Sequence, residues 1–164
     1  MDLLPDTRKI RQALSWTITL LNTYQVAYQI VGGLAAQAYG ATRPLVDIDL
    51  YIALDTAQDV LEAIQPYLTR PPLPHRSNAW DLVYLALEYE GVLIEIGDSS
   101  THPRFFNRQD QRWEPQIIDY TTSQLISLYG IVVAVMPKAE LIRYKAMLDR
   151  EVDHLDIKQI TEFF

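Results

Sequence analysis

Ile10, Leu14, Thr17, Leu21 and Tyr24 recur at three- and four-residue steps, the spacing of one helix face, and Asp6 stands where an N-cap belongs. An amphipathic helix is expected over roughly 6–24. "VAYQIV" reads as a short strand that runs into Gly32-Gly33, and "LAAQAYG" as a short alanine-rich helix closed by Gly40. "LVDIDLYIA" has the apolar character of a strand. "TAQDVLEAIQPYL" returns to helical spacing, with Thr56 as cap and Val60, Leu61, Ile64 and Leu68 on the inner face.

The second half begins with "PYLTRPPLPHRSN". Its prolines remove hydrogen-bond donors and fix φ, so a loop is expected. "WDLVYLALEYEGVLIEIGD" holds two alternating apolar runs joined near Glu90-Gly91, the pattern of a hairpin. "SSTHPRFFNRQDQRWEP" reads as a second loop, "QIIDY" as a short strand and "GIVVAVM" as a strand. Pro137 then opens a helix, "KAELIRYKAMLDR", in the favoured first position. "VDHLDIKQITEFF" closes the chain as a helix with Val152, Leu155, Ile160 and Phe163 inward. The order of elements suggests an α/β or α+β fold with a mixed sheet. No internal repeat or low-complexity tract interrupts it.

Two charges sit inside one of these apolar runs. Asp47 and Asp49 are two residues apart, so a strand aims both to one side, about 6.6 Å apart along the backbone. Val46, Ile48 and Leu50 are then expected on the other face. Forced together, two carboxylates repel, and one takes up a proton unless a cation lies between them. A hard divalent ion with oxygen ligands, Mg²⁺ for example, removes that cost. The plain alternative is the polar face of an edge strand. Ahead of the pair, Gly32-Gly33 falls where a strand passes into a helix. Glycine there lets the backbone approach a ligand closely, and N–H groups at a helix start favour an anion. A tight structural turn explains it equally. The three-glycine dinucleotide fingerprint and the Walker lysine are both missing.

Length and composition narrow the classes. The 164 residues suit one domain with a single core, and nearly half are hydrophobic, as in ordinary globular proteins. The net charge of −7 argues against a sequence-blind grip on nucleic acid and is compatible with a cation site. Without cysteine there is no disulfide, thiolate zinc site or cysteine nucleophile. His75, His102 and His154 lack ligand spacing. No run of 18 or more apolar residues predicts a membrane span, and the N-terminus does not read as a signal peptide, so a cytoplasmic protein is expected.

"VGG", a twelve-residue spacer and "VDIDLYI" together resemble the DNA polymerase β-type nucleotidyltransferase superfamily, and its small bacterial members in particular. That family pattern has a third carboxylate on a neighbouring strand, and "VLIEIG" supplies Glu95. Asp98, in the turn beyond, is the weaker substitute. "MPKAELIRYKAMLDREVDHLDI" resembles the family's helical end, with a proline-started helix, a lysine and an R-x-x-D-x-x-D run. The chain departs from the pattern at Leu45, where many relatives carry threonine, and at Glu95, where aspartate is commoner.

The resemblance implies a nucleotidyltransferase-like mixed sheet flanked by helices, with a core over about 25–135 and C-terminal helices over about 137–164. It implies transfer of a nucleoside monophosphate, AMP first, from a nucleoside triphosphate to a hydroxyl. Asp47, Asp49 and Glu95 would hold two Mg²⁺ ions (Mn²⁺ as the alternative) about 3.5–4 Å apart, and Glu95 would accept the hydroxyl proton. Gly32 and Gly33 would bind phosphate. Arg43, Lys145 and Arg150 are further nucleotide-binding candidates, set against readings as a solvated loop arginine, a snorkelling lysine and a surface i, i+3 partner of Asp153. Arg104, Phe105, Phe106, Arg108, Arg112 and Trp113 could stack a base, but anchoring a loop or an interface is the favoured reading. The acceptor stays open between a small molecule, a protein and an RNA end. A rival function is a non-catalytic or partner-modifying component of a toxin–antitoxin or regulatory pair, with a small helical protein as partner.

Overall fold

The first helix, α1 (Thr7–Thr23), forms as its spacing predicts: Asp6 accepts a hydrogen bond from Lys9 N at 2.8 Å, and Ile10, Leu14, Ile18 and Leu21 are buried. Tyr24 ends the helix and is exposed. The computed structural model describes residues 6–162. After α1 come β1 (Gln29–Val31), α2 (Gly32–Ala38), β2 (Ile48–Ile52) and α3 (Gln58–Ile64). Then follow β3 (Leu68–Arg76), β4 (Trp80–Tyr89), β5 (Val92–Asp98), β6 (Arg104–Asn107), β7 (Arg112–Pro115), β8 (Gln124–Leu128) and β9 (Ile131–Val135). Two helices close the described chain, α4 (Lys138–Leu148) and α5 (Glu151–Glu162).

The nine strands form one mixed sheet in the order β7-β6-β4-β5-β2-β1-β9-β8, with β3 paired to β4. Its centre positions the site. Strand β2 runs parallel to β5, which sets Asp49 opposite Glu95, and antiparallel to β1, which sets Val31 opposite Asp49. Because side chains alternate, one face of this centre is apolar. Ile30, Ile48, Leu50, Ile94, Ile96, Leu85 and Leu87 are all at most 2% exposed and form one core with α1, α2 and α3. The other face carries the acids and faces α4 and α5. The expected α+β fold with a mixed sheet and helical end is therefore present.

Several elements differ from expectation. The proline-rich segment 68–76 is strand β3, not a loop. It lies at a sheet edge, where a proline's missing donor costs no ladder bond, and register shifts between Leu68 and Arg70 and between Arg70 and Leu73 absorb Pro71 and Pro72. The second predicted loop contains the β6–β7 hairpin. Asn107 accepts from the N–H groups of Gln109 and Asp110, and this folds its turn. "QIIDY" is not a strand: Asp119 accepts from Thr121 N and starts a helical turn at Tyr120. Strand β8 was not foreseen. It joins β9 through Tyr129 and Gly130, both at positive φ, as Glu90 and Gly91 join β4 and β5. Helix α3 is shorter than predicted; Ala57 precedes it without a side-chain cap, Thr56 lies in a helical turn, and Leu68 belongs to β3. Val46, expected to pack, is 61% exposed ahead of β2.

Helix α5 turns a different face inward. Asp153, Asp156 and Ile160 are buried, Val152 is half-buried and Leu155 is 44% exposed. Phe163 lies outside the described residues. Two aspartates thus occupy the position an apolar stripe would take, because charged partners meet them there.

Candidate active site

Asp47, at the entrance to β2, and Asp49, within it, present carboxylates beside that of Glu95 on β5. Ligand-capable oxygens of the three lie within 4.8 Å of one another. No cation-free arrangement holds three charges at that spacing without cost. Burial pushes Asp49 well above the ordinary carboxylate range, and repulsion from Asp47 and Glu95 adds to it against the pull of Lys145. Burial also raises Asp47, partly offset by its hydrogen bond with Asp49 and by the Arg43 charge. Burial and Asp47 raise Glu95, and Arg70 opposes them. Each of the three shifts disfavours the charged form while no cation is bound. Its all-oxygen donor set fits a hard divalent cation.

Gly32 is glycine for two reasons. It has φ +65°, and a Cβ there would stand 2.6 Å from Asp49 Oδ2. Any side chain would displace the carboxylate. At Gly33 a Cβ would meet the Arg43 guanidinium at 3.0 Å and the Leu45 side chain at 3.1 Å. Leu45 thus fills this gap as a buried apolar residue. Asp98 has a structural role instead. It accepts from Leu54 N, Ser100 N and Ser100 Oγ at 2.6–2.9 Å, and these bonds overcome burial to hold its carboxyl below the ordinary range.

Opposite the acids lies a cluster of cations held by buried anions. Lys145 is not a surface lysine: its side chain is 3% exposed, and Nζ lies 2.9 Å from Asp156 Oδ2 and 3.3 Å from Asp153 Oδ1. Arg43 is not simply solvated. It grips Asp156 with Nε and NH2 at 2.7 and 3.0 Å. Arg150 pairs with Asp153 at i, i+3 as one sequence reading held, through Nε at 2.7 Å, but Asp153 is fully buried rather than on the surface. Three cations share two carboxylates, so one positive charge is unmatched within the cluster.

Both poles line one cleft of about 470 Å³, and so do Gly32 and Gly33. The fold thus gathers all eight candidate residues, drawn from positions 32 to 150, around a single space. Sequence reasoning did not find the rest of the lining. Tyr51 lies over Gly97, where a Cβ would meet its ring at 2.5 Å, and Tyr144 accepts a hydrogen bond from Trp80 Nε1 at 2.6 Å. Arg150 covers the Trp80 ring at 4.8 Å. His75, Trp80, Leu82 and Tyr84 complete one wall. Period-two alternation along β4 was the available signal for the last three. The β6–β7 aromatics pack locally: Phe105 is buried and meets Tyr144 edge-on, and Trp113 lies near Phe106, Arg76 and Arg104.

Together the sheet order, the helical end and the triad's position define a nucleotidyltransferase-like fold, and solved structures show the same. The Thermotoga maritima protein TM1012, solved as a "putative nucleotidyltransferase", superposes with a TM-score of 0.69 at 14% identity, over 92% of this chain and 91% of that chain. The lincosamide antibiotic adenylyltransferase LnuA, solved with lincomycin bound, gives 0.63 at 17% identity over 93% and 97%. An antigenic nucleotidyltransferase-like protein from Paracoccidioides brasiliensis gives 0.59 at 16% identity over 98% and 78%. No protein-family model and no curated protein matches the sequence. Among the described residues no helix is long and apolar enough to cross a membrane.

Proposed function

We propose that the protein transfers a nucleoside monophosphate, AMP first, from a nucleoside triphosphate to a hydroxyl group. The observation that carries this reading is the meeting of Asp47, Asp49 and Glu95 within 4.8 Å beside the side-chain-free backbone of Gly32. Asp47, Asp49 and Glu95 would hold Mg²⁺ or Mn²⁺. A bound divalent ion neutralises phosphate charge and acidifies a hydroxyl.

The chain's own residues supply the rest. Gly32 and Gly33 would offer backbone N–H groups to phosphate oxygens next to the acids. Arg43, Lys145 and Arg150 present the unmatched positive charge of their cluster to the triphosphate. The acceptor oxygen bonds to the α-phosphorus as the bond to the β-phosphate oxygen breaks, and pyrophosphate leaves. Glu95, whose proton affinity is raised by burial, would take the hydroxyl proton. Catalysis of this kind rests on positioning and charge compensation more than on covalent chemistry.

Isothermal titration with ATP and Mn²⁺ or Mg²⁺ is the direct test, followed by a search for label transferred from [α-³²P]ATP. Metal-dependent ATP binding is the expected result. Absence of nucleotide binding with every metal tried removes the proposal.

A further inference from the structure

One wall of the cleft has no part in the reading above. His75 comes from β3 and Trp80, Leu82 and Tyr84 from β4, and the two strands are paired so that His75 faces Leu82 and Leu73 faces Tyr84. The wall is apolar and aromatic. Tyr84 meets His75 edge-on at 5.6 Å and carries the Arg70 guanidinium over its ring at 4.3 Å. Leu73, on the same arm, is 45% exposed.

The sheet order fixes which reactant this wall can meet. Across the site the strands run β4-β5-β2-β1, so Asp49 stands between Glu95 on one side and Val31 and the following glycines on the other. Displacement at phosphorus keeps the attacking and leaving oxygens roughly in line. With pyrophosphate departing toward Gly32, Gly33 and Arg43, the attacking hydroxyl must arrive from the β5–β4 side. It passes Glu95, and behind Glu95 stands the β3–β4 arm.

We propose that His75, Trp80, Leu82 and Tyr84 on the β3–β4 arm form the acceptor subsite, and that it takes an uncharged hydroxyl compound with a flat or apolar face. The proposal rests on the nucleotide reading of the same cleft and deepens it by naming the acceptor class. The charges on the arm weigh against the alternatives. Among the described residues lining the cleft, the only carboxylates are the triad itself, so a polycationic acceptor finds no anionic partner on the cleft face of the arm and has the Arg70 guanidinium over Tyr84 beside it. A nucleic-acid strand needs a track of available basic groups. Arg70 donates to the carbonyls of Leu73 and Pro74, and Arg104 is paired with Asp81. An uncharged ring laid against Tyr84 or Trp80, on the side that Arg70 and Arg150 leave uncovered, brings no charge into conflict with them.

The test uses the full chain with a non-hydrolysable ATP analogue and Mn²⁺ present, and 4-nitrophenyl-β-glucoside as the probe. Kanamycin and a single-stranded RNA oligonucleotide are titrated in parallel. The glucoside is expected to bind, Tyr84→Ala to weaken it about tenfold, the scale of one lost stacking contact, and Tyr84→Phe to retain it. Tyr84→Ala should leave affinity for the ATP analogue within about twofold. Leu82→Ala, which keeps the tyrosine, should weaken the glucoside in the same sense, so that a folding defect in one variant does not decide the outcome. Preferential binding of kanamycin or RNA, no glucoside binding while the ATP analogue binds, or an equal loss of ATP analogue and glucoside in Tyr84→Ala each overturns the subsite. Failure of the ATP analogue itself to bind overturns the nucleotide reading, and the subsite falls with it.

Discussion

Asp49 lies between two other carboxylates, whose repulsion adds to the cost of its burial, and that arrangement sets how single substitutions behave. Replacing it with asparagine removes repulsion from Asp47 and Glu95 while keeping the shape. Asp49→Asn is expected to abolish nucleotide transfer and to leave the melting temperature of the metal-free protein unchanged or higher by a few degrees, at roughly 2–4 °C per kcal/mol. Scanning calorimetry in chelator and a labelled-transfer assay check the two halves separately. Asp156 is the opposite case. Burial tends to raise its carboxyl, but bonds from Arg43 and Lys145 prevail and hold it below its ordinary value of 3.8. A depressed carboxylate contributes stability above its unfolded pKa, and this is lost as pH falls through the folded one. Asp156→Asn should therefore cost about 3–5 kcal/mol at pH 7, since it removes the partner of half-buried Arg43 and leaves buried Lys145 with Asp153 alone. The difference from the parent should shrink below about pH 4. Urea unfolding of both proteins across pH 3–7 measures it; a constant difference would contradict the ion-pair account. The aspartate pair of β2 was legible from spacing alone. The neutralising role of Asp156 was not, because its partners lie 11 and 113 residues away.

Element by element, the chain separates what periodicity reveals from what partners impose. Helix α1 and the β4–β5 hairpin follow their apolar patterns, because each buries one face against a sheet that asks only for hydrophobic side chains. Helix α5 does not. Its apolar residues suggested Leu155 inward, yet Arg43, Lys145 and Arg150 present cations there, and Asp153 and Asp156 turn in to meet them. This gives a sharp contrast. Leu155→Gln, at a 44% exposed position, should change unfolding free energy by less than about 0.5 kcal/mol. Ile160→Ala, at a fully buried one, should cost about 2–5 kcal/mol. Equal effects in denaturant titration would mean that the helix is rotated. Strand β3 shows the same limit from another side. Prolines predict a loop by default, and only the position at a sheet edge, invisible in one strand's own sequence, makes a bulged strand available.

For the molecule as a whole, the site's unpaid charge links ligand binding to stability. Anything that binds the folded state alone raises the melting temperature with concentration. Mn²⁺ or Mg²⁺ at about a hundred times its dissociation constant should stabilise the protein by about 2.7 kcal/mol, or roughly 5–10 °C. Asp49→Asn should show little response, and differential scanning fluorimetry with metal and with chelator compares them. A metal response equal in both proteins would place the ion elsewhere. The sequence by itself determined the identity and local grouping of the acids, the glycine hinge, most helices and the central strands, because these depend on spacing between near neighbours. Tertiary structure alone decided that Glu95 faces Asp49, that Arg43, Lys145 and Arg150 share two buried aspartates, and that an aromatic arm walls the cleft. Each of these depends on strand register and helix rotation, which are fixed by contacts between segments far apart in the chain and leave no periodic trace within any one of them.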